Sequence, residues 1–133
     1  MGSFSDYLEN ELLDHVFKTG AYVQETNLYV ALLTSTPDDA DTGITLPGEL
    51  SGGGYVRIKC NTWDLAAAGA TENSQTVTFA QATADQGTVT HFAICNATTN
   101  GACIGWGALS ASRVISSGDT ASFATGDLDV TLD

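Results

Sequence analysis

The sequence is short of basic residues. Four Lys and Arg residues stand against 16 Asp and Glu residues, and the formal net charge is -12 at pH 7. Such a surface repels the phosphate groups of nucleic acids. The same charge favours solubility and suppresses non-specific association. The composition therefore argues against a nucleic-acid partner without identifying any other.

Long hydrophobic runs and catalytic motifs are also missing. No segment reaches the roughly 18 apolar residues that a membrane span requires, and no basic segment followed by an apolar run marks a signal peptide. We therefore expect no membrane partner and synthesis in a reducing cytoplasm. Neither histidine lies in a recognisable motif, and no Ser-His-Asp pattern or carboxylate pair can be assigned. The sequence predicts no catalytic residue, no enzymatic activity and no cofactor.

Cysteines are few, and their number is odd, which argues against a fold built on disulfides. Cys95 and Cys103 lie on the two arms of a hairpin predicted around Asn100-Gly101. They are expected to face each other, with His91 on the same face as Cys95. Three ligands without a CxxC pair fall short of a closed zinc site. We interpret these cysteines and Cys60 as buried free thiols and predict no metal.

The longest irregular segment, residues 36–51, is acidic and contains both prolines. Part of it matches a calcium-binding loop that runs from Asp38 to Glu49, with Gly43 at the sixth position and the glutamate at the twelfth. Positions three and five lack carboxylates, and no flanking helices are predicted. We favour a solvated, turn-forming acidic loop and keep calcium binding as the alternative.

Residues 3–18 predict one N-terminal amphipathic α-helix, with Ser3 or Ser5 as its cap and Gly20 as its stop. Its apolar stripe recurs every three or four residues. That stripe consists of Phe4, Leu8, Leu12 and Val16, widened by Tyr7, Leu13 and Phe17. The continuously apolar segment 27–35 predicts a central strand covered on both faces, and we expect the helix to cover one of them.

Residues 27–133 predict a β body of seven or eight strands joined by glycine-rich turns. We expect one domain, residues 1–133, that is mainly β: an antiparallel β-sandwich or flattened barrel with one N-terminal amphipathic α-helix. Strict alternation assigns side chains to faces. It places Phe92 and Ile94 on one face of the strand 87–95, and Val89, His91, Ala93 and Cys95 on the other. It also turns Leu128, Val130 and Leu132 inward.

Residues 51–63 are the stretch around which the chain is organised. Three glycines, Gly52 to Gly54, end a loop, and an alternating strand with Tyr55, Arg57 and Lys59 follows at once. One interpretation is a turn with solvated charges. The other is a rigid surface on which a partner or a second copy docks, where Tyr and Arg are favoured. For that second interpretation we predict the interface residues Tyr7, Glu11, Gly53, Tyr55, Arg57 and Lys59.

Five stretches together resemble a known family: residues 3–17, 27–32, 51–57, 87–92 and 117–133. They resemble small virion proteins of tailed bacteriophages and prophages, labelled as tail-fibre-like or as capsid decoration (cement) proteins. The resemblance spans nearly the whole chain. It implies a β-rich virion component without catalytic groups, made in the cytoplasm of a host bacterium and self-associating as a trimer or a ring.

Three functions are compatible with these expectations. The first is a capsid decoration protein on the outer capsid surface, whose partners are the major capsid protein and copies of itself, with a homotrimer favoured. The second is a tail or head-tail component, such as a fibre adaptor or baseplate protein. The third is a carbohydrate-binding module that stacks sugars on Trp63, Trp106 or Tyr22, although such aromatics are more often core residues.

Overall fold

The computed structural model describes residues 2–132, which contain one helix and nine strands. In chain order these are β1 (Gly2–Phe4), α1 (Asp6–Val16), β2 (Tyr29–Leu33), β3 (Ile58–Lys59), β4 (Ala70–Glu72), β5 (Val77–Thr78), β6 (Gly87–Cys95), β7 (Cys103–Ile115), β8 (Ser122–Phe123) and β9 (Asp129–Thr131). All strand pairs are antiparallel. The predicted mainly β fold with one N-terminal helix is confirmed. The single domain over residues 1–133 stays a prediction, and Met1 and Asp133 lie outside the described residues.

The strands form one sheet and two ribbons. The sheet has five strands in the order β1-β7-β6-β2-β3, and the ribbons are β4 with β9 and β5 with β8. Both ribbons pack their buried residues, such as Val77 and Val130, against one face of the sheet. The result is a sandwich-like arrangement of a large sheet and two short ribbons.

The central strand β2 is buried on both faces, as its apolar run predicted. Val30 and Leu32 enter the core on the ribbon side, where Phe92 and Leu128 also lie. Ala31 and Leu33 enter a second, smaller core on the other side, formed with Leu46, Ala93, Cys95 and Cys103. Because Leu46 belongs to the irregular segment 36–51, a loop covers the second face of the sheet.

The helix does not cover this face, and that expectation was wrong. Helix α1 runs from Asp6 to Val16, shorter than the predicted 3–18, because Phe4 pairs with Gly105 in the sheet and Lys18 adopts a left-handed backbone with φ 63°. Ser5 is the cap, and its side chain accepts a hydrogen bond from the Leu8 amide. The Ser5 hydroxyl also donates to the carbonyl of Cys103. The helix is thereby attached to the edge of the sheet, beside β7.

Two of the predicted face assignments were also wrong. Val89 lies in the core with Phe92 and Ile94 instead of opposite them, since a register shift after Val89 reverses the alternation. On β7, residues 109–112 stand opposite Thr90 alone, so β7 is one long strand with a bulge. Leu132 follows the end of β9 and is exposed, whereas Leu128 and Val130 are buried as predicted.

Candidate interaction surfaces

The glycine run forms a loop that only glycine tolerates well. Gly52, Gly53 and Gly54 have φ values of 71°, 56° and 82°, in the left-handed region. The loop is fastened to the protein itself, because the Gly53 carbonyl accepts a hydrogen bond of 3.0 Å from the Thr83 amide. The side chain of Gln86 donates to the carbonyls of Gly52 and Gly53. The glycine loop is therefore held by hydrogen bonds within the chain.

Arg57 is buried, which excludes the interpretation of a solvated charge at this position. Its Nε and Nη2 atoms donate to the two carboxylate oxygens of Glu49 at 2.7 and 2.8 Å, a bidentate ion pair. Nη2 also donates to the Gly43 carbonyl at 2.7 Å. Nη1 donates to the carbonyls of Ala97 and Asn100 at 3.0 and 2.9 Å. One guanidinium thus ties the loop 43–49 to the hairpin 96–101.

Tyr55 extends the same cluster toward the sheet. Its hydroxyl donates to Glu49 Oε1 at 3.0 Å and accepts a hydrogen bond of 3.1 Å from the Leu32 amide. Burial raises the pKa of Tyr55, and the hydrogen bonds to Glu49 raise the pKa of Arg57. Both groups therefore keep their protons across the physiological range. We name Arg57, Glu49, Tyr55 and Gly43 the Arg57 cluster.

The six predicted interface residues do not form one surface. Tyr55 and Arg57 belong to the interior cluster, and Gly53 is half-buried beside Gln86. Lys59 is exposed on β3, at one edge of the sheet, while Tyr7 and Glu11 lie on α1, which contacts β7 near the opposite edge. Their role in an interface stays a prediction.

The acidic loop uses its carboxylates for its own turns. Asp38 Oδ1 accepts a hydrogen bond from the Ala40 amide, and Asp41 Oδ2 accepts one from the Asp38 amide. Glu49, the twelfth position of the partial calcium match, is engaged by Arg57. Within residues 2–132, no group of three or more His, Cys, Asp or Glu residues is arranged to hold a metal ion. The loop's geometry is that of a turn-forming segment that closes over the second core.

The three cysteines are buried free thiols, as predicted. Cys95 and Cys103 are direct partners across β6 and β7. A hydrogen bond between the two thiols raises the pKa of Cys103, which burial raises further, and lowers the pKa of Cys95. His91 lies beside the ring of Trp106, which packs against the core that contains Cys95, and its Nδ1 is 2.8 Å from Thr90 Oγ1 in a hydrogen bond. Cys95 and Cys103 pack in the second core, and Cys60 packs in the larger core.

The aromatic residues considered for sugar stacking are also engaged. Trp63 packs against the larger core and donates its indole N–H to the Cys60 carbonyl at 2.9 Å. Trp106 packs against the second core and donates to Asp39 Oδ1 at 3.1 Å. Tyr22 is half-buried, and its pKa is raised by burial and by Glu25. The contacts of these three side chains do not favour any of them as a surface for stacking sugars.

Three exposed apolar residues lie close together at the C-terminal end of α1. Leu13, Val16 and Phe17 are 56%, 64% and 72% exposed, and they occupy positions i, i+3 and i+4. Leu8 is the helix residue that is buried. We name Leu13 and Val16, together with the C-cap residue Phe17, the outer face of α1. The connector returns alongside the helix, since the Tyr22 amide donates to His15 Nδ1 at 3.2 Å, and it adds Val23, which is 79% exposed.

Sequence reasoning missed this outer face, although the spacing contains a signal for it. At about 100° per residue, Leu13 lies about 140° around the helix from Leu8, and Phe17 about 180°. Such residues cannot all face one sheet. It also missed Glu49 as the partner of Arg57, because the glutamate was considered only as a calcium ligand.

Two cavities accompany these surfaces. One, of about 500 Å³, opens between the end of β7 and residues 119–123, with Arg113 and the carboxylates of Asp119 and Asp127 at its border. Both carboxylates accept backbone hydrogen bonds from their own turns. The other, of about 140 Å³, is apolar and lies between Phe4, Trp63 and Val130. No helix among the described residues is long and apolar enough to span a membrane.

The comparisons with known proteins identify a family. The family model described as podophage GP4 fiber I protein gp80 matches residues 3–131. No curated protein matches the chain. The match supports the resemblance to small phage virion proteins that the sequence motifs indicated.

Proposed function

Because this chain belongs to the family described as podophage GP4 fiber I protein gp80, we propose that it is a non-enzymatic structural component of the phage tail or fibre. The observation that carries the proposal is the family match, which covers residues 3–131 and whose description names a fibre protein. Independently of its location in the particle, the chain is a phage virion structural protein.

The use of polar groups in the structure supports a structural role. Arg57, Glu49 and Tyr55 form a closed set of bonds that holds two loops on the sheet. Among the described residues, no buried side-chain nitrogen or oxygen lacks a hydrogen-bond partner. Polar groups that are fully hydrogen-bonded make the protein rigid, which suits a structural component of a particle.

Capsid decoration, the first of the functions that the sequence suggested, stays a prediction. It places the protein on the outer capsid surface, bound to the major capsid protein as a homotrimer. The family description favours the tail or fibre alternative, and the exposed outer face of α1 suits either location. Self-association in the virion is likewise a prediction.

Cryo-electron microscopy of the intact virion tests the proposal. We expect density for this chain in the tail or its fibres, with a copy number, measured by quantitative mass spectrometry of purified virions, that matches the rotational symmetry of that structure. Density at the junctions of capsid subunits, with a copy number that follows the capsid lattice, would establish the decoration role instead. A chain missing from purified virions would contradict both.

A further inference from the structure

We propose that the outer face of α1 inserts into an apolar groove with a basic rim on a different virion protein. The inference rests on the proposed function, since it identifies the chemistry of the partner that the protein contacts in the particle. Two independent properties of the surface support it: the spacing of its exposed apolar residues and the sign of the charge around them.

The spacing is that of a helix that binds in a groove. Leu13, Val16 and Phe17 follow one another at i, i+3 and i+4, so they project from one side of the last helical turn. Helices that dock into hydrophobic grooves use anchors with this spacing. The remaining exposed large apolar residues outside the helix and its connector, such as Ile44, Val56 and Leu65, are scattered along the sequence and its loops. Scattered apolar residues are normal on a protein surface, whereas a contiguous set is not.

The helix is firmly held in the position that exposes this face. Ser5 caps its first turn and contacts the carbonyls of Cys103 and Ile104 on β7. The Asp6 amide donates to the Asp39 carbonyl at 2.7 Å. At the other end, the Phe17 amide bonds the Leu13 carbonyl and the Thr19 amide bonds the Asp14 carbonyl. The anchors are therefore preorganised, and docking does not have to order the helix first.

The charge around the outer face determines the kind of partner. Residues 6–25 contain five carboxylates and one lysine. Asp6, Glu9 and Asp14 are exposed on the helix that carries the anchors. A second copy would bring the same carboxylates opposite these, in a chain whose net charge is already -12. Like charges across an interface are costly, whereas a rim of Lys or Arg complements them. The occupant that fits is a different protein with a basic border.

Photo-crosslinking in the particle tests this inference. The full chain is made during infection with benzoylphenylalanine in place of Phe17, and purified virions are irradiated. We expect an adduct with one site on a different virion protein, mapped by mass spectrometry to an apolar groove bordered by Lys or Arg. The same photo-reactive residue in place of Leu65, which is 95% exposed on a loop, is the control and is expected to give no such adduct.

A charge reversal tests whether the groove of the partner has a basic rim. The double change Glu9→Lys and Asp14→Lys should lower the yield of the Phe17 adduct about tenfold. Asp64→Lys with Asp129→Lys adds the same charge away from the helix and should leave the yield unchanged. Thermal unfolding of each variant checks that it is folded.

The outcomes separate this inference from the proposed function. An adduct with a second copy of the chain, with a site that lacks basic residues, or with nothing while the protein is present in virions would overturn the inference and leave the structural role intact. An unchanged adduct yield after charge reversal at Glu9 and Asp14 would overturn it as well. If the protein is missing from the virions, the proposed function fails first.

Discussion

The Arg57 cluster and the outer face of α1 contrast with what their residue types suggest. Arg57, Glu49 and Tyr55 are polar and chargeable, yet the arginine is 6% exposed and every contact described above is internal. Leu13, Val16 and Phe17 are apolar, yet all three are more than half exposed. Arg57 and Tyr55, which the sequence suggested as surface residues, lie in the interior cluster, and the C-terminal part of the apolar stripe expected in the core faces solvent.

The contrast teaches that the burial of a residue depends more on which element covers its face of the sheet than on the residue type. The loop 36–51 lies over the second face of the sheet, where the helix was expected, and it carries Leu46 and Glu49 into contact with the sheet and with Arg57. The helix is left at the edge beside β7, with one side free. The outer face of α1 is then available to a neighbouring protein, while Arg57 stabilises the fold.

The largest expected effect concerns the Arg57 cluster. Arg57→Ala should lower the free energy of unfolding by about 3–5 kcal/mol, because it leaves a partly buried carboxylate and three backbone carbonyls without their donor. Urea denaturation measures the change. Lys59→Ala, at an exposed basic residue on the adjacent strand, should stay within about 0.5 kcal/mol of the wild type. Equal stability of the two variants would remove the structural role assigned to Arg57.

The two sides of α1 provide the next comparison, with the same residue type on the same helix. Leu8→Ala should cost about 2–5 kcal/mol, since Leu8 is 7% exposed and its loss leaves a cavity. Leu13→Ala should change the free energy of unfolding by less than about 0.5 kcal/mol, since Leu13 is 56% exposed. Thermal and urea unfolding of the pair test this. A cost at Leu13 similar to that at Leu8 would mean that the outer face packs within the protein.

A smaller effect is expected at Gly43, where the loop meets the hairpin. A Cβ atom at this position would overlap the Asn100 carbonyl oxygen, which is itself bonded to Arg57. Gly43→Ala should therefore cost about 1–3 kcal/mol through displacement of the loop. Gly20→Ala is the matched control, because the nearest atom to its added Cβ would be 3.6 Å away. We expect the control to be neutral, and similar values for both variants would argue against close packing at Gly43.

The smallest effect concerns the cap that orients the helix. Ser5→Ala removes the acceptor for the Leu8 amide and the donor to the β7 carbonyls, and it should cost about 1 kcal/mol. Ser110→Ala, at an exposed serine on β7, should be neutral. Loss of helical signal in circular dichroism should accompany the change at Ser5. An unchanged melting temperature for Ser5→Ala would show that the helix is held by other contacts.

Features with a strictly local cause could be predicted from the sequence. The Ser5 cap, the left-handed glycines at 52–54 and the Asn100-Gly101 turn each follow from the conformational preferences of a few neighbouring residues. The continuous apolar run of β2 similarly predicted that this strand is buried on both faces, because a strand covered on both faces has to be apolar throughout.

Features that depend on distant segments could not be predicted. The partner of Arg57 lies eight residues earlier in the chain, and the further acceptors are the Gly43 carbonyl of the same loop and the Ala97 and Asn100 carbonyls of the hairpin 96–101. The face of Val89 depends on a bulge whose extra residues are on β7. No local pattern indicated that the loop 36–51, and not the helix, would take the second face of the sheet. The candidate contact surface escaped prediction for this reason, since its exposure is a consequence of that choice.

One measurement tests most directly whether the outer face of α1 is a contact surface. Phe17→Ser and Leu65→Ser chains, each removing one exposed large apolar residue, are produced together in cells infected by phage that lacks the wild-type chain, and their ratio in purified virions is measured by mass spectrometry. We predict that Phe17→Ser is depleted about tenfold relative to Leu65→Ser, because loss of the most exposed anchor of the outer face weakens docking. Equal incorporation of the two chains would contradict the assignment of the outer face of α1 as the contact surface.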